Sequence, residues 1–223
     1  MNGRYCVVIP AFRASKTIGE VVRGVRLQGL TVVVVDDGSS DQTAAIASEQ
    51  GALVISHLRN QGKGRALRTG FEYALRTGYD GVITMDSDGQ HDPMEIPQLI
   101  RAGELQHAGI VLGNRLTDGV LMPRARRWTN EVMSRVVSVM ARQHIPDSQC
   151  GFRFIRKEVL ASVSLRTRRF EIETELLLAA ARHRWKIISV PVSTIYQDRL
   201  SHIQPVIDGV RFLSLVIRHC LWR

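Results

Sequence analysis

Two aspartates separated by one residue carry the strongest chemical signal in the sequence. Asp86 and Asp88 follow the apolar run at 81–85, which predicts a buried strand. Residues two apart in an extended chain project to the same side, so these carboxylates could hold Mg²⁺ or Mn²⁺ together, with an amide oxygen from Gln90 nearby. The metal would bridge a diphosphate and neutralise charge on the leaving group. The alternative interpretation is a turn with solvated acids.

A second acidic pair, Asp36 and Asp37, follows the apolar run at 31–35. Adjacent carboxylates at the end of a strand can accept hydrogen bonds from a nucleotide base or ribose. Ser40 or Asp41 would cap the helix that follows, and the two roles are compatible because different residues carry them.

A glycine-rich turn at 60–64 (NQGKG) precedes a predicted helix. Gly62 would let a ligand approach the backbone, and Lys63 lies near the N-terminus of that helix, which favours anions. The spacing differs from that of the Walker A phosphate-binding loop. A plain structural turn is the alternative interpretation.

Short apolar runs alternate with amphipathic stretches, and together they predict the elements that position these residues. In the first half, strands are predicted at 5–10, 31–35, 52–56, 81–85 and 110–113, and helices at 16–27, 41–50, 64–77 and from Pro93. In the second half, helices are predicted at 124–142, 173–183 and 204–222, a loop entering a short strand at 147–155, and strands at 186–190 and 192–196. This order is typical of an α/β fold with a mostly parallel sheet covered by helices on both faces, where ligands bind at the carboxyl ends of the strands.

The composition fits one α/β domain of 223 residues and excludes several classes of protein. Hydrophobic residues make up 44% of the chain, too many for disorder, and no run is long enough to span a membrane. The three cysteines are far apart, which argues against a disulfide scaffold or a zinc site and indicates a reducing, cytoplasmic compartment. The net charge of +9 suggests an anionic partner, whereas the 6% aromatic content and the lack of a recognition motif argue against nucleic acid.

Taken together and in this order, the motifs resemble those of the family 2 glycosyltransferases, closest to the dolichol-phosphate mannosyltransferase-like and polyprenyl-phosphate glycosyltransferase-like proteins. The resemblance covers nearly the whole chain and rests on VIPA at 8–11, DDGS at 36–39, NQGKGRA at 60–66, DSDGQH at 86–91, GNR at 113–115, DSQCGFR at 147–153, FEIETE at 170–175 and VPVSTIY at 190–196. It implies a GT-A fold and an inverting, metal-dependent transfer of a sugar, such as mannose or glucose. Residues 1–115 would form the nucleotide-sugar-binding half of a single domain, and residues 116–223 the acceptor-side half.

The same resemblance assigns roles to individual residues. Pro10 and Ala11 would line the nucleotide, Asp37 would contact the base or ribose, Asp86, Asp88 and Gln90 would hold the metal and diphosphate, and Arg115 would lie beside the sugar or acceptor. One departure concerns the donor: the family usually shows Asn-Glu where this chain has Arg13-Ala14. The choice between a GDP-linked and a UDP-linked sugar therefore stays open.

Arginines in the second half suggest where an acceptor phosphate would bind. Arg124, Arg126 and Arg127 cluster beside Trp128, and the resemblance places Arg153, Arg199 and Ser201 near the phosphates. Clustered arginines favour bidentate phosphate recognition, although a single arginine is more often part of a solvated surface. A phosphomonoester needs no general base, because its second pKa of about 6 leaves it mostly dianionic at neutral pH. An alcohol acceptor would need one, and Asp147 is then the candidate, with a loop cap as its alternative role.

We therefore expect a polyprenyl or dolichyl phosphate acceptor and a peripheral position at the cytoplasmic face of a membrane. The helix predicted at 204–222 interleaves arginines with an apolar stripe, so it could rest on an anionic bilayer or pack against the sheet. A separate membrane protein is a second candidate partner. The competing functions are transfer to a hydroxyl of a saccharide or protein, nucleotidyl transfer with release of pyrophosphate, and binding of nucleic acid.

Overall fold

Seven strands form one sheet in the computed structural model, which describes residues 3–116 and 124–195, with the side chains of 124–126 left out. The strands are β1 (Tyr5–Ala11), β2 (Thr31–Asp36), β3 (Leu53–Ser56), β4 (Gly81–Thr84), β5 (Ile110–Asn114), β6 (Arg153–Arg156) and β7 (Ile187–Pro191). Their order across the sheet is β3-β2-β1-β4-β6-β5-β7. All five strands predicted in the first half are present, each within one or two residues of its predicted ends.

The sheet is mostly parallel, as predicted, with one exception. β6 lies between β4 and β5 and runs antiparallel to both. The preceding chain explains this direction, because Ser138 contacts Ile145 and Ser134 contacts Ser148, so residues 145–148 run back along a helix toward the carboxyl edge of the sheet. The next strand, β6, therefore starts at the carboxyl edge and runs in the direction opposite to its neighbours.

Helices cover both faces of the sheet, as predicted. They are α1 (Ile18–Leu27), α2 (Thr43–Glu49), α3 (Lys63–Arg76), α4 (Ile96–Leu105), α5 (Arg124–Ala141), α6 (Lys157–Ser162) and α7 (Ile172–Arg182), and a short 3₁₀ turn at Pro93–Glu95 precedes α4. Alternate residues of each strand face opposite sides: Val7 and Ile9 pack with α1, α2 and α4, whereas Cys6 and Val8 pack with α3, α5, α6 and α7.

Three details correct or extend the sequence prediction. Asp41 contributes to capping α2 from one position before the N-cap, through a 3.1 Å bond from the backbone N–H of Thr43. Helix α6 was not predicted. Residues 192–195, predicted as part of a strand, lie outside the sheet after Pro191 ends β7, and the predicted helix at 204–222 lies outside the described residues. None of the described helices is both long and apolar enough to cross a membrane.

Candidate active site

The residues singled out from the sequence come together at the carboxyl edge of the sheet. β1, β2 and β4 are parallel neighbours there, and β1 is tied to β2 by a 2.8 Å hydrogen bond from the N–H of Asp37 to the carbonyl of Ala11. Pro10 and Ala11 are buried at the end of β1. The segment 147–152 reaches the same edge because antiparallel β6 starts where its neighbours end. The edge is therefore built from both halves of the chain.

A partly buried lysine lies between two carboxylates at this edge. Nζ of Lys63, the first residue of α3, lies 2.6 Å from Oδ1 of Asp86 and 2.9 Å from Oε1 of Glu173. Burial favours the neutral form of each group, but the opposite charges outweigh it, so the pKa of Lys63 is raised and the pKa of Asp86 is lowered. Both groups are charged at neutral pH. The sequence placed Lys63 and Asp86 at one site but did not predict that they form an ion pair.

The carboxylate of Asp86 packs tightly against Gly151. A Cβ atom at Gly151 would lie 2.6 Å from Oδ2 of Asp86, closer than real Cβ contacts come. The hydroxyl of Thr84, at the end of β4, donates to the carbonyl of Gly151 at 2.7 Å. Gly151 thus leaves just enough room for the carboxylate and fixes one side of it.

Asp88 is held by a turn and not by an extended strand. β4 ends at Thr84, residues 87 and 88 form a turn, and Gly89 has a φ of 77°. The premise that an extended chain aligns Asp86 with Asp88 is therefore wrong, and their joint binding of a metal stays a prediction. Asp88 is exposed, and its Oδ1 accepts a 3.0 Å bond from the N–H of Gln90.

His91 lies against the backbone of Asp86. It is buried, it stacks on Phe152 with ring centroids 5.2 Å apart, and its Nδ1 accepts a 3.4 Å bond from the N–H of Asp86. Burial lowers the pKa of His91 despite the nearby charges of Asp86 and Asp88, so the ring is neutral at pH 7.

The donor groups at this edge fit a divalent cation shared with a substrate. Within residues 3–116 and 127–195, no three His, Cys, Asp or Glu side chains are grouped so that they could hold a metal ion alone. Mg²⁺, however, is usually held by one or two carboxylates plus substrate phosphates and water. Asp86, Asp88 and the amide of Gln90 supply this kind of incomplete set, and Gly151 leaves room for the Asp86 carboxylate.

Asp37 holds the glycine-rich turn in place. Its carboxylate accepts bonds from the N–H groups of Gln61 (3.0 Å) and Gly62 (2.7 Å) and lies 2.6 Å from Nδ1 of His57. It is only 2% exposed. Since protein groups already occupy both oxygens, Asp37 positions the turn, and its contact with a base or ribose stays a prediction. Asp36 is likewise buried, and its Oδ1 accepts a bond from the N–H of Ser39 at 3.3 Å.

The two glycines of that turn allow the backbone of residues 167–169 to lie close to it. Gly62 has a φ of 97°, and a Cβ atom there would lie 2.4 Å from the carbonyl oxygen of Arg168. A Cβ atom on Gly64 would lie 2.8 Å from the carbonyl oxygen of Thr167. The interpretation of Gly62 as a ligand-approach position is therefore corrected: it lets residues 167–169 pack on the start of α3.

Replacing Gly62 with alanine should destabilise the protein by more than its backbone conformation alone explains. Gly78 is the matched control, because its φ is 75° and a Cβ atom there would meet nothing within 4 Å. The control Gly78→Ala should cost about 1–2 kcal/mol through backbone conformation. Gly62→Ala should cost at least about 1 kcal/mol more, because the added methyl overpacks the contact with Arg168. Urea unfolding of both variants measures the difference, and equal losses would contradict the close approach.

Arg115 and Asp147 form a buried bidentate ion pair. Nε and Nη2 of Arg115 lie 2.8 Å and 3.0 Å from the two carboxylate oxygens of Asp147, which has no solvent exposure. The backbone N–H of Arg115 donates to the same carboxylate at 3.3 Å. The interpretation of Asp147 as a general base is therefore corrected. Asp147 positions Arg115 directly after β5, and the charge of Arg115 adds to the larger effect of Lys63 in lowering the pKa of Asp86.

Arg153 is a structural residue and not a phosphate ligand. It is 1% exposed, and its guanidinium donates to the carbonyls of Cys150 (2.7 Å), Glu173 (2.7 Å) and Ser148 (2.8 Å). These bonds join the segment before β6 to the start of α7. The arginine that the family resemblance placed near the phosphates thus braces the backbone that carries Glu173.

The other predicted acceptor residues stay predictions. Arg127 is exposed and forms an ion pair with Glu131 at 2.9 Å on the surface of α5, so its contact with a ligand stays a prediction. The side chains of Arg124 and Arg126, and all of Arg199 and Ser201, lie outside the described residues.

Comparison with known proteins identifies the family. The family model described as "Glycosyl transferase family 2" matches residues 6–163, which include every strand except β7 and most of the site. This chain belongs to glycosyl transferase family 2. Two relatives are each 30% identical to it: the UDP-N-acetylglucosamine–dolichyl-phosphate N-acetylglucosaminyltransferase of Methanococcus voltae, over 86% of each chain, and the dolichyl-phosphate hexose transferase of Haloferax volcanii, over 96% of this chain and 93% of the relative.

A solved structure supports the fold of this family 2 enzyme. Glucosyl-3-phosphoglycerate synthase from Mycobacterium tuberculosis superposes with a TM-score of 0.73, covering 99% of this chain and 79% of that one at 21% identity. That protein was solved with Mn²⁺, UDP and its product. The expected GT-A fold and the glycosyltransferase class are confirmed.

Sequence reasoning missed three contributors to the site: Glu173, His91 and Gly151. Each lies in a segment that carried the family resemblance (FEIETE, DSDGQH and DSQCGFR), so the signal was present without a role attached. The contacts of Glu173 with Lys63 and of Gly151 with Asp86 join distant parts of the chain, whereas His91 is only five residues from Asp86.

Proposed function

We propose that this family 2 glycosyltransferase transfers a hexose, such as mannose or glucose, from a nucleoside diphosphate donor to a polyprenyl or dolichyl phosphate, with inversion at the anomeric carbon. The names of the two relatives support the acceptor class, since both are dolichyl-phosphate sugar transferases. Membership of the family argues against nucleotidyl transfer and nucleic-acid binding. The remaining choice is between a phosphate and a hydroxyl acceptor.

The pairing of Asp147 is the observation that favours a phosphate. Asp147 was the candidate base for an alcohol, and both of its oxygens are bound to Arg115 in a site closed to solvent. With both oxygens bonded to the guanidinium and no exposure to solvent, the carboxylate is not placed to take a proton from an acceptor hydroxyl. A dianionic phosphate needs no base at all.

Arg115 also has donors left for a phosphate. Arginine carries five N–H groups, and the side chain of Arg115 directs Nε and Nη2 to Asp147, so Nη1 makes no hydrogen bond to the residues that the structure describes. A guanidinium already fixed by a carboxylate is oriented for a second anion. In the reaction, an acceptor phosphate oxygen forms a bond to the anomeric carbon as the bond from that carbon to the donor diphosphate breaks.

At the donor end, Asp86, Asp88 and Gln90 would hold a divalent metal, Mg²⁺ or Mn²⁺. When bound, the metal would neutralise charge on the departing nucleoside diphosphate. The M. voltae relative is named for a UDP-linked sugar, and the solved neighbour binds UDP with Mn²⁺. A UDP-linked donor is therefore the first to test, with GDP-linked mannose beside it.

Transfer assayed in parallel with polyprenyl phosphate and with the matching polyprenol tests this function. The two acceptors differ only in the phosphate, so membrane partitioning and chain recognition stay the same. We expect labelled product with the phosphate and none with the alcohol. Transfer to the polyprenol, or to saccharide hydroxyls at a similar rate, would show that a base operates and would overturn the proposal.

A lipid acceptor requires the enzyme to work at a membrane surface, and the outer side of α5 suits such a position. Helical spacing places four residues on this side of α5: Trp128, Val132, Arg135 and Val139. The side chains of Trp128, Val132 and Val139 are 68%, 42% and 73% exposed, respectively. Apolar side chains with interleaved arginine are typical of helices that rest on anionic bilayers. The double variant Trp128→Ser/Val139→Ser should lower the affinity for anionic liposomes by about tenfold, as measured by sedimentation with the liposomes. A matched Leu105→Ser change should not, because this similarly exposed leucine ends α4, which packs on the opposite face of the sheet from α5.

A further inference from the structure

The ion pair between Lys63 and Asp86 places a positive charge where a metal would have to bind. Nζ of Lys63 lies 2.6 Å from Oδ1 of Asp86, and the lysine side chain is 16% exposed. Mg²⁺ binds carboxylate oxygens at about 2.0–2.1 Å. An ammonium group at 2.6 Å on the same oxygen therefore competes with a cation for that ligand.

Asp86 has little freedom to satisfy both partners by moving. On its other side, the carboxylate fills the space that Gly151 leaves, where even a Cβ atom would lie 2.6 Å away. Lys63, in contrast, has a second partner. Its Nζ lies 2.9 Å from Glu173, and it lies 5.5 Å from the centre of the Phe170 ring. The lysine can therefore give up Asp86 and remain paired with Glu173, whereas the carboxylate of Asp86 is blocked on the side of Gly151.

Glu173 is held firmly enough to act as this second partner. It is 9% exposed, and its backbone carbonyl accepts a 2.7 Å bond from Arg153, a buried residue that also binds two carbonyls before β6. Lys63 is likewise fixed at its backbone, as the first residue of α3, next to the turn that Asp37 ties down. Only the flexible end of the lysine side chain is free to change partners.

We propose that Lys63 is the resident cation of the empty donor site. Without a nucleotide it neutralises Asp86, so a divalent ion alone binds weakly. When a nucleoside diphosphate arrives with its metal, Lys63 keeps Glu173 and exchanges Asp86 for a phosphate oxygen. The metal and the nucleotide then bind cooperatively. The metal displaces Lys63 from Asp86, and the nucleotide phosphate gives the displaced Lys63 a new partner. This inference rests on the metal-dependent donor site of the proposed function.

The test compares binding of Mn²⁺ alone with binding of UDP or GDP at saturating Mn²⁺. Free Mn²⁺ is measured by electron paramagnetic resonance in the absence of nucleotide, and nucleotide affinity by calorimetry. Lys63→Met should raise the affinity for Mn²⁺ alone at least tenfold and lower the affinity for the nucleotide at least tenfold. Neither measurement depends on turnover.

A matched variant separates this exchange from a general effect of charge. Arg169 is exposed on the loop beside Gly62 and carries the same charge without contacting Asp86. Arg169→Met should change either affinity by less than threefold. Equal effects of Arg169→Met and Lys63→Met, or unchanged Mn²⁺ binding in Lys63→Met, would overturn the inference.

A second variant covers the case in which Lys63→Met does not fold, and Mn²⁺ binding by the unmodified enzyme tests the donor site itself. If Lys63→Met does not fold, Glu173→Gln serves instead: with its second partner neutral, Lys63 stays on Asp86, and both affinities should fall. An increase in the affinity for Mn²⁺ alone would then overturn the inference. If the unmodified enzyme binds no Mn²⁺ even with UDP or GDP, the metal-dependent donor site itself is wrong and the inference is overturned together with it.

Discussion

Replacing Asp86 with asparagine should lower kcat/KM for sugar transfer by at least about 10²- to 10³-fold, because a metal contributes several kcal/mol of charge stabilisation in the transition state. The amide keeps the shape of the side chain in the space beside Gly151 but loses the charge that a divalent ion requires. The fold should survive, since Lys63 retains Glu173 as a partner. Steady-state kinetics at several Mn²⁺ concentrations measure the loss.

Asp92 supplies the control for this substitution. It lies six residues further along, and its carboxylate accepts a 2.9 Å bond from the N–H of Met94 at the start of the 3₁₀ turn. Asparagine caps a helix as well as aspartate does, so Asp92→Asn removes a nearby charge without loss of structure. It should leave the rate within about twofold. Comparable activity in Asp86→Asn and Asp92→Asn would show that the reaction does not depend on a metal held by Asp86.

Replacing Asp147 with asparagine should reduce both stability and transfer. The change leaves the buried guanidinium of Arg115 without its counter-charge, and breaking a buried ion pair from one side costs about 3–5 kcal/mol. The loss of activity should be the same with every acceptor, because Asp147 orients Arg115 and does not remove a proton. Thermal unfolding and transfer to polyprenyl phosphate are measured on the same preparation.

A double variant separates the structural part of this effect from the functional part. Arg115→Met/Asp147→Leu replaces both charges with apolar groups, and such replacements of buried pairs are often neutral for stability. Stability should therefore return toward that of the unmodified enzyme, while transfer stays low because no guanidinium remains for the phosphate. Recovery of activity in the double variant would mean that Arg115 has no role in the reaction.

The sequence predicted that the acidic residues after β2 and β4 lie at one edge of the sheet, because this edge depends on local signals. Runs such as 31–35 are apolar on both faces, so they predict buried parallel strands, and the carboxyl ends of parallel strands gather at one edge. Asp36 and Asp86 come at or directly after such strands, and their location follows from that rule. The GT-A fold itself followed from the resemblance.

Contacts between distant segments could not be predicted in the same way. The antiparallel direction of β6 depends on how residues 145–148 run back along α5, which no local pattern records. Arg153 was assigned to a phosphate because an arginine in sequence looks the same whether it is exposed or buried among carbonyls. Gly62 illustrates the same limit: the positive φ was foreseeable from its residue type, but the identity of its close neighbour, Arg168, was not.

In the proposed reaction, cleavage of the sugar donor is coupled to transfer to a lipid phosphate and requires a metal. Release of UDP or GDP from the sugar donor measures this directly, with polyprenyl phosphate and Mn²⁺ each added or withheld. We predict rapid release only when both are present, with one nucleoside diphosphate formed for each glycosylated lipid phosphate. Release at the same rate without Mn²⁺, or with polyprenol in place of its phosphate, would contradict the account.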